Sequence, residues 1–367
     1  MSSFRLFTPD LFSRSQPIFE EVSAQRKEAL SELFLNNFGK IDAIVNFIRQ
    51  AGGLEINSSN FAVHTNQGPY LLKVHRDLNA QDREIIEDQS ALVEWLRNSG
   101  QPVPAPLRGQ TGDYLCSTGD GNWISAMSFV EGEYFTGRPQ SIQAVGRAVG
   151  DFHAALLNVP KDFRLERQYP MLTDIDREVF RTVTASEDAA LSKFSIQHRE
   201  LLKRHQRLLS ETWERVLDYY PQFSSSESGL VHIDLHPHNM LLRDNRLIAF
   251  LDFDSLMEGP LNMMLGFSCY KLLRQVLCVE GWIGDGLQRS HLVDEYLNAV
   301  VSRCDRFFTN PEQLALFAYT EVCRRIAFIF RLNLLENNST WNDALPMQIM
   351  GLREIQWLFG ESNKLKV

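Results

Sequence analysis

One stretch of this chain interrupts everything around it. From Ser141 onward the sequence has mostly helical spacing, yet residues 229–256 break into short apolar runs, Gly229–Ile233, Met240–Leu242 and Leu247–Phe253, separated by polar turns. Runs of this length bounded by turn residues read as strands, so a helical body must hold a small β insert. The first turn is His232-Ile-Asp-Leu-His-Pro-His-Asn239, and the last run closes on Asp252-Phe-Asp254. Asp234 and Asn239 lie five residues apart on one loop. Asp252 follows thirteen residues after Asn239, enough for a hairpin to return to the same point.

The flanks divide into two kinds. Residues 17–38 read as a helix with Leu30, Leu33 and Phe34 on its apolar side. Phe61–Thr65 and Tyr70–Val74 are β-rich runs around Asn66-Gln-Gly-Pro, which predicts a hairpin. Residues 82–98 return to helical spacing, with Ile85, Gln89, Leu92 and Leu96 on one face, and Gly100-Gln-Pro-Val-Pro-Ala-Pro ends that helix. Tyr114–Ser117 and Trp123–Val130, around Thr118-Gly-Asp-Gly-Asn, predict a second hairpin. Ile142, Val145, Val149, Phe152 and Leu156 then recur at steps of three and four, the mark of a buried helix face. Residues 160–222 are charge-rich and read as helical, as do 261–360. The pattern predicts an α+β chain: a small antiparallel β region with an N-terminal helical extension over 1–126, a connector at 127–136, and a mainly helical region over 137–367. A cleft between two such regions is where small-molecule sites tend to lie.

Composition narrows the function. The net charge of −9 argues against a nucleic-acid binder, which needs a large positive surface. It leans slightly toward an amine-bearing ligand. No apolar run approaches the roughly 18 residues of a membrane span, and the N-terminus has no apolar stretch of signal-peptide length. Five cysteines, odd in number and without a C-x-x-C pair, suit a reducing compartment. A cytoplasmic protein without membrane or nucleic-acid partners is expected.

The polar loops carry one coherent chemistry. Phosphoryl transfer needs a carboxylate to orient the attacking hydroxyl and hard oxygen ligands for magnesium. His232-Ile-Asp-Leu-x-x-x-Asn239 matches the H-x-D-L-x-x-x-N catalytic loop of kinases, and the apolar run ending in Asp252 matches their D-F-G segment. Over roughly residues 55–270 the chain resembles the aminoglycoside phosphotransferase and choline kinase group. That family's loop typically reads H-G-D-x-H-x-x-N, followed by I-D-F-(D/E); here Ile233 stands where glycine is usual. Gly146-Arg-Ala-Val-Gly-Asp-Phe-His153 is similar to the family helix that precedes a long substrate-side insertion.

The resemblance implies a protein-kinase-like two-lobed fold, with ATP and Mg2+ as cofactors and the hydroxyl of a small molecule as acceptor (an amino alcohol, hydroxy amino acid, aminoglycoside or sugar). Residues 1–126 would form the nucleotide-binding lobe, 127–136 the hinge, and 137–367 the helical lobe with the catalytic loop and acceptor pocket. Asp234 would orient the hydroxyl, and Asn239 and Asp252 would bind magnesium. Lys73, in Tyr70-Leu-Leu-Lys73-Val-His, would grip the α- and β-phosphates. Asn57-Ser-Ser-Asn60 takes the place of the phosphate-covering loop, which puts Asn60 at the nucleotide. The backbone at Ser128 and Val130 would bond adenine, with Met127 behind it. The family's helix glutamate is absent: counting back from Leu96 gives Gln89, with Glu87 about 200° round the helix, and one of the two is expected to reach Lys73. Ile233 replaces the arginine of protein kinases and there is no A-P-E segment, so switching by loop phosphorylation is not expected.

Rival readings are a pseudokinase, motivated by the missing glutamate, a protein Ser/Thr kinase of the same fold, and a metal hydrolase built on His232, Asp234, His236 and His238. The last leaves Lys73 and Asp252 unexplained. His232 is expected to brace the catalytic loop, His153 to be a packed core histidine, and His236 and His238 to be loop polarity. Trp282, Trp341 and Trp357 are expected in the core.

Overall fold

The computed structural model describes residues 18–39, 44–51, 58–160, 163, 165, 167–280, 286–307 and 310–360. The first element among the described residues is a strand, β1 (Ile18–Glu21), where helical spacing was expected. The helix proper, α1 (Ala24–Phe38), starts only after Ser23, whose side chain accepts from the Arg26 N–H as its N-cap. The cause is non-local: β1 pairs antiparallel with β2 (Ile44–Ala51), a partner that no helical window registers. Next come β3 (Ser58–Thr65) and β4 (Gly68–His75), the expected hairpin, in unbroken register from Ser58↔His75 to Thr65↔Gly68. The loop expected at Asn57–Asn60 is therefore already strand from Ser58, and Asn57 lies outside the described residues. Helix α2 (Ala80–Asn98) begins with a capping box between Asn79 and Asp82. Short strands β5 (Pro106–Leu107) and β6 (Leu115–Ser117) pair end to end along the edge of β7 (Trp123–Ser128) opposite β4. All join one antiparallel sheet, ordered β1-β2-β3-β4-β7-β5 with β6 also on β7. Phe34 and Phe38 of α1 pack on Phe61, Val63, Leu72 and Ile124 of the sheet to form a small core.

The connector is not a plain hinge throughout. Glu133–Tyr134 form β8, which leaves the first sheet and pairs with a strand from the loop-rich insert. Helix α3 (Ile142–Leu157) buries the predicted Ile142, Val145, Val149, Phe152 and Leu156 face. The charge-rich segment holds α4 (Asp174–Thr184), α5 (Asp188–Leu191) and α6 (Ile196–Ser224). The insert follows as β9 (Ser228–His232), β10 (Met240–Arg243), β11 (Arg246–Phe250) and β12 (Leu256–Pro260). β10 lies between β11 and β8, and β12 pairs with β9. The remainder is α7 (Leu261–Glu280), α8 (Gly286–Val301), α9 (Pro311–Leu335) and α10 (Leu345–Leu358).

Two glycines explain how α3 docks. A Cβ at Gly146 would sit 2.8 Å from the Ala299 Cβ, and one at Gly150 only 2.4 Å from the Val300 carbonyl oxygen. The pair four residues apart thus lets α3 and α8 approach closely. His153 is buried among aromatic rings and bonds the Val149 carbonyl through Nδ1 (2.9 Å). Trp341 and Trp357 pack against the main core; Trp282 lies outside the described residues. Among the described residues no helix is long and apolar enough to cross a membrane.

Candidate active site

The insert gathers the polar loops as the sequence spacing required. β9 ends at His232, whose ring is fully buried. Its Nδ1 accepts from the Asp234 N–H (3.3 Å), so the proton is on Nε2, which donates to the Leu251 carbonyl (2.9 Å). Burial keeps the imidazole neutral by lowering its pKa. His232 thus ties the loop bearing Asp234 to the strand end bearing Asp252. Two further bonds complete the brace. The Leu251 N–H donates to the Asn239 carbonyl (2.9 Å), and the Asn239 Nδ2 donates to the Asp234 carbonyl (2.8 Å). One Nδ2 proton of Asn239 is thereby committed, which fixes the amide plane and leaves its Oδ1 as an acceptor.

Asp234 does not stand alone. Arg325, on α9, donates from Nη2 to its Oδ1 (2.8 Å), and the His236 Nε2 lies 3.6 Å from its Oδ2. Burial would raise the Asp234 pKa, but the Arg325 guanidinium and His236 outweigh it and hold the carboxyl well below its usual range. Arg325 also donates from Nε to Glu321 (2.7 Å), which is fully buried and further bound by Arg324 and Tyr169. Arg325 lay inside a stretch read only as helical. An Arg-Arg pair after Glu321 on an otherwise apolar helix was the signal available.

Asp252 adopts a left-handed backbone, φ 62° and ψ 60°. Asp tolerates that region better than most residues, and strain of this kind clusters at functional sites. Its carboxyl is raised, first by desolvation and then by the neighbouring Asp254 charge. Asp254 in turn pairs with Lys73 of β4. Burial would lower the Lys73 pKa, but Asp254 and Asp252 overcome it and hold the amine charged.

The Lys73–Asp254 pair corrects one expectation: neither Gln89 nor Glu87 is the partner of Lys73. Gln89 is buried and donates from Nε2 to the carbonyls of Asp254 (3.4 Å) and Leu256 (3.3 Å). Glu87, on another side of α2, accepts from the N–H groups of Tyr114 (3.0 Å) and Leu115 (2.5 Å), holding the start of β6. Both side chains are consumed by backbone groups, and Asp254, already visible in Asp252-Phe-Asp254, supplies the counter-charge. Arg167, from the segment before α4, donates to the Asp254 carbonyl and was not anticipated.

A cavity of about 730 Å3 is lined by Ala62, Leu71, Met127, Val130, Leu241 and Leu251 together with polar residues such as Glu131, Arg138 and Arg243. The size suits a drug-sized ligand. Ser128 lines it too. Its N–H and Oγ are both committed to Ala105 (2.8 Å each), which fixes the chain where the connector begins. Asn60 sits on β3 directly across from Lys73. Among the described residues there is no cluster of three metal-ligating side chains here: His236 approaches Asp234, but its Nδ1 accepts from the His238 N–H, and the His238 ring packs on Tyr134 at 4.8 Å.

A family model described as the phosphotransferase enzyme family matches residues 48–272, more than half of the sequence. The chain belongs to the phosphotransferase enzyme family. Homoserine kinases are among its relatives. That of Sinorhizobium medicae is 28% identical over 201 residues, covering 54% of this chain and 55% of the relative. That of Chelativorans sp. is 24% identical over 269 residues, covering 72% and 71%. The chain thus spans little more than half the length of the first of these curated relatives. Spectinomycin phosphotransferase in complex with ADP and spectinomycin superposes with a TM-score of 0.63 at 15% identity, over 94% of this chain and all of the other. A microcompartment-associated aminopropanol kinase gives 0.53 at 16%, over 94% and 98%. Family members therefore share the two-lobed fold, with a small antiparallel sheet and a mainly helical remainder.

Proposed function

We propose that this protein is an ATP-dependent kinase that phosphorylates the hydroxyl of a small molecule. The observation that carries the reading is the convergence of Lys73, Asp234, Asn239 and Asp252, with His232 locking two of the segments together, beside a cavity that Leu71 and Leu251 help to line. In this reading the cavity takes adenine against the connector backbone at Ser128 and Val130. Residues up to 126 bind nucleotide, and the helical lobe holds the acceptor. Lys73, aimed by Asp254, meets the α- and β-phosphates, with Asn60 beside it. Family membership and the homoserine kinase relatives support the reaction class.

Asn239 and Asp252 suit a divalent cation. The Asn239 Oδ1 is an acceptor on a side chain that one Nδ2 bond already orients, and the Asp252 carboxyl, raised first by burial and then by the Asp254 charge, is a hard oxygen donor that a cation would stabilise in its ionised form. Hard oxygen donors of this kind favour Mg2+. When bound, magnesium supplies neutralisation of the phosphate charge. The chain's own residues do the rest. The Asp234 Oδ1 is held by Arg325, so Oδ2 is the oxygen that accepts from the acceptor hydroxyl. The acceptor oxygen then bonds to the γ-phosphorus and the bond from that phosphorus to the bridging oxygen breaks. ADP leaves with that oxygen. With so low a pKa, Asp234 orients the hydroxyl and takes its proton only as the new bond forms. Positioning and fixed charge provide most of the rate.

The pseudokinase reading loses its motive, because Asp254 replaces the missing glutamate. The test is ADP release from Mg-ATP across small hydroxyl compounds. Asp234→Asn should lower turnover by about 10²–10⁴-fold, the range of a lost acid–base partner, while ATP still binds. Full turnover in that variant refutes the assignment.

A further inference from the structure

Among the described residues, α7, α9 and α10 around Asp234 bring together four cationic side chains, Lys271, Arg274, Arg324 and Arg325, and two carboxylates, Glu321 and Glu354, beside that of Asp234 itself. Arg325 divides its guanidinium between Asp234 and Glu321, and Glu321 is shared again with Arg324. On α7 the neighbouring Arg274 is matched to Glu354 (2.7 Å), which also accepts from the Tyr270 hydroxyl (2.9 Å). Lys271, between these networks, has no carboxylate at ion-pair distance among the described residues. Its Nζ lies 5.4 Å from the centre of the Phe267 ring and 5.3 Å from that of Tyr270, both buried. The Arg325 guanidinium lies 4.5 Å from the same Phe267 ring, so the two cations are within about 10 Å of each other. Burial, Arg325 and Arg274 hold the Lys271 amine down at about 8, against the opposing pull of Asp234 and Glu354. A half-buried cation kept among aromatic rings and other cations costs free energy unless an anion joins it.

Resting on the kinase reading of Asp234, we propose that Lys271, with Arg325, binds a carboxylate of the acceptor. The acceptor class is then a small hydroxy acid or hydroxy amino acid. One end is the hydroxyl on the Asp234 Oδ2; the other is the carboxylate at Lys271. The net charge of −9 by itself leans only slightly toward an amine-bearing acceptor, a class that includes hydroxy amino acids. The local field at the acceptor decides recognition, and there the surplus is positive. The names of the relatives cover both classes: homoserine carries a carboxylate, and aminopropanol does not.

The experiment uses the full chain with 4-hydroxybutyrate, homoserine, homoserine amide and 3-aminopropanol. ADP release gives kcat and KM, and thermal shift with a non-hydrolysable ATP analogue gives binding. The two carboxylates should raise the melting temperature, and at least one should be turned over with kcat/KM about 30-fold or more above the amide and the amino alcohol, the effect of leaving a buried charge unpaired. Lys271→Met should remove that preference mainly through KM, and Lys271→Arg should restore part of it. Preference for 3-aminopropanol or the amide overturns the proposal but leaves the kinase reading intact. So does an acid preference that survives in Lys271→Met. No thermal response to either acid also overturns it. Acids that bind through Lys271 without turnover keep this inference and refute the kinase reading.

Discussion

The pairing of Lys73 with Asp254, rather than with a residue of α2, makes a sharp prediction. Asp254→Asn keeps the shape and removes the charge. Lys73 is mostly buried and Asp254 about half exposed, with side-chain exposures of 14% and 53%. A fully buried pair broken on one side costs about 3–5 kcal/mol and an exposed one under about 1 kcal/mol. Asp252 remains as a second attractor for Lys73, so we expect about 1–2 kcal/mol. At 1.36 kcal/mol per decade that is roughly a 5- to 30-fold loss in kcat/KM for ATP. Glu87→Gln is the contrasting variant. Its carboxylate accepts two backbone N–H groups, and an amide can serve only one of them well. It should cost about 1–3 kcal/mol of stability and leave kcat/KM for ATP nearly unchanged. The assay is initial-rate kinetics in ATP at saturating acceptor, run beside thermal unfolding of each variant. Loss of ATP kinetics in Glu87→Gln with none in Asp254→Asn would refute the assignment of the lysine's partner.

Other outcomes follow from packing and titration. Gly150→Val should lower the melting temperature and cost upwards of about 2 kcal/mol, because a Cβ there meets the Val300 carbonyl oxygen at 2.4 Å and backbone cannot step aside; an unchanged melting temperature would count against the α3–α8 docking. His153 is held neutral, its pKa lowered by burial to about 3. The unfolded chain therefore binds a proton near pH 6.5 that the native state refuses, so stability falls as pH drops below about 6.5. By pH 5 the contribution is about 2 kcal/mol, and His153→Leu should flatten that part of the stability–pH curve. His232→Leu should lower kcat more than nucleotide affinity, since the brace sets Asp234 against Asp252; equal loss of both would mean it serves the fold alone.

Local pattern made much of this molecule readable. The β3–β4 hairpin, α2 and the α3 face each declare themselves within a dozen or two residues, and the insert places Asp234, Asn239 and Asp252 by loop spacing alone. What escaped was non-local. β1 is a strand because of β2, and β8 because of β10. Glu87 and Gln89 sit at positions where a partner for Lys73 was sought, but unpaired backbone groups nearby claim them first. Arg325 reaches Asp234 from 91 residues away, and no spacing rule links the two.

The connector between sheet and helical body has an unusually short fulcrum. On one side Ser128 is bonded to Ala105 and Phe129 to Pro69; on the other, β8 is already stitched to β10, and the Phe135 N–H reaches the Pro237 and Met240 carbonyls. Val130, Glu131 and Gly132 are left between. Even there, Arg243 holds the Glu131 carbonyl (2.6 Å), and a Cβ on Gly132 would come within 3.1 Å of the Leu242 carbonyl oxygen. If the connector is the hinge we propose, a swing about it would draw on the torsions of about three peptide units beside the cavity, and would also have to carry or part the packing of α2 on the helical core. Val130, Glu131 and Gly132 also line the cavity, so on that reading a ligand gripping their backbone would hold the pivot as well as the pocket.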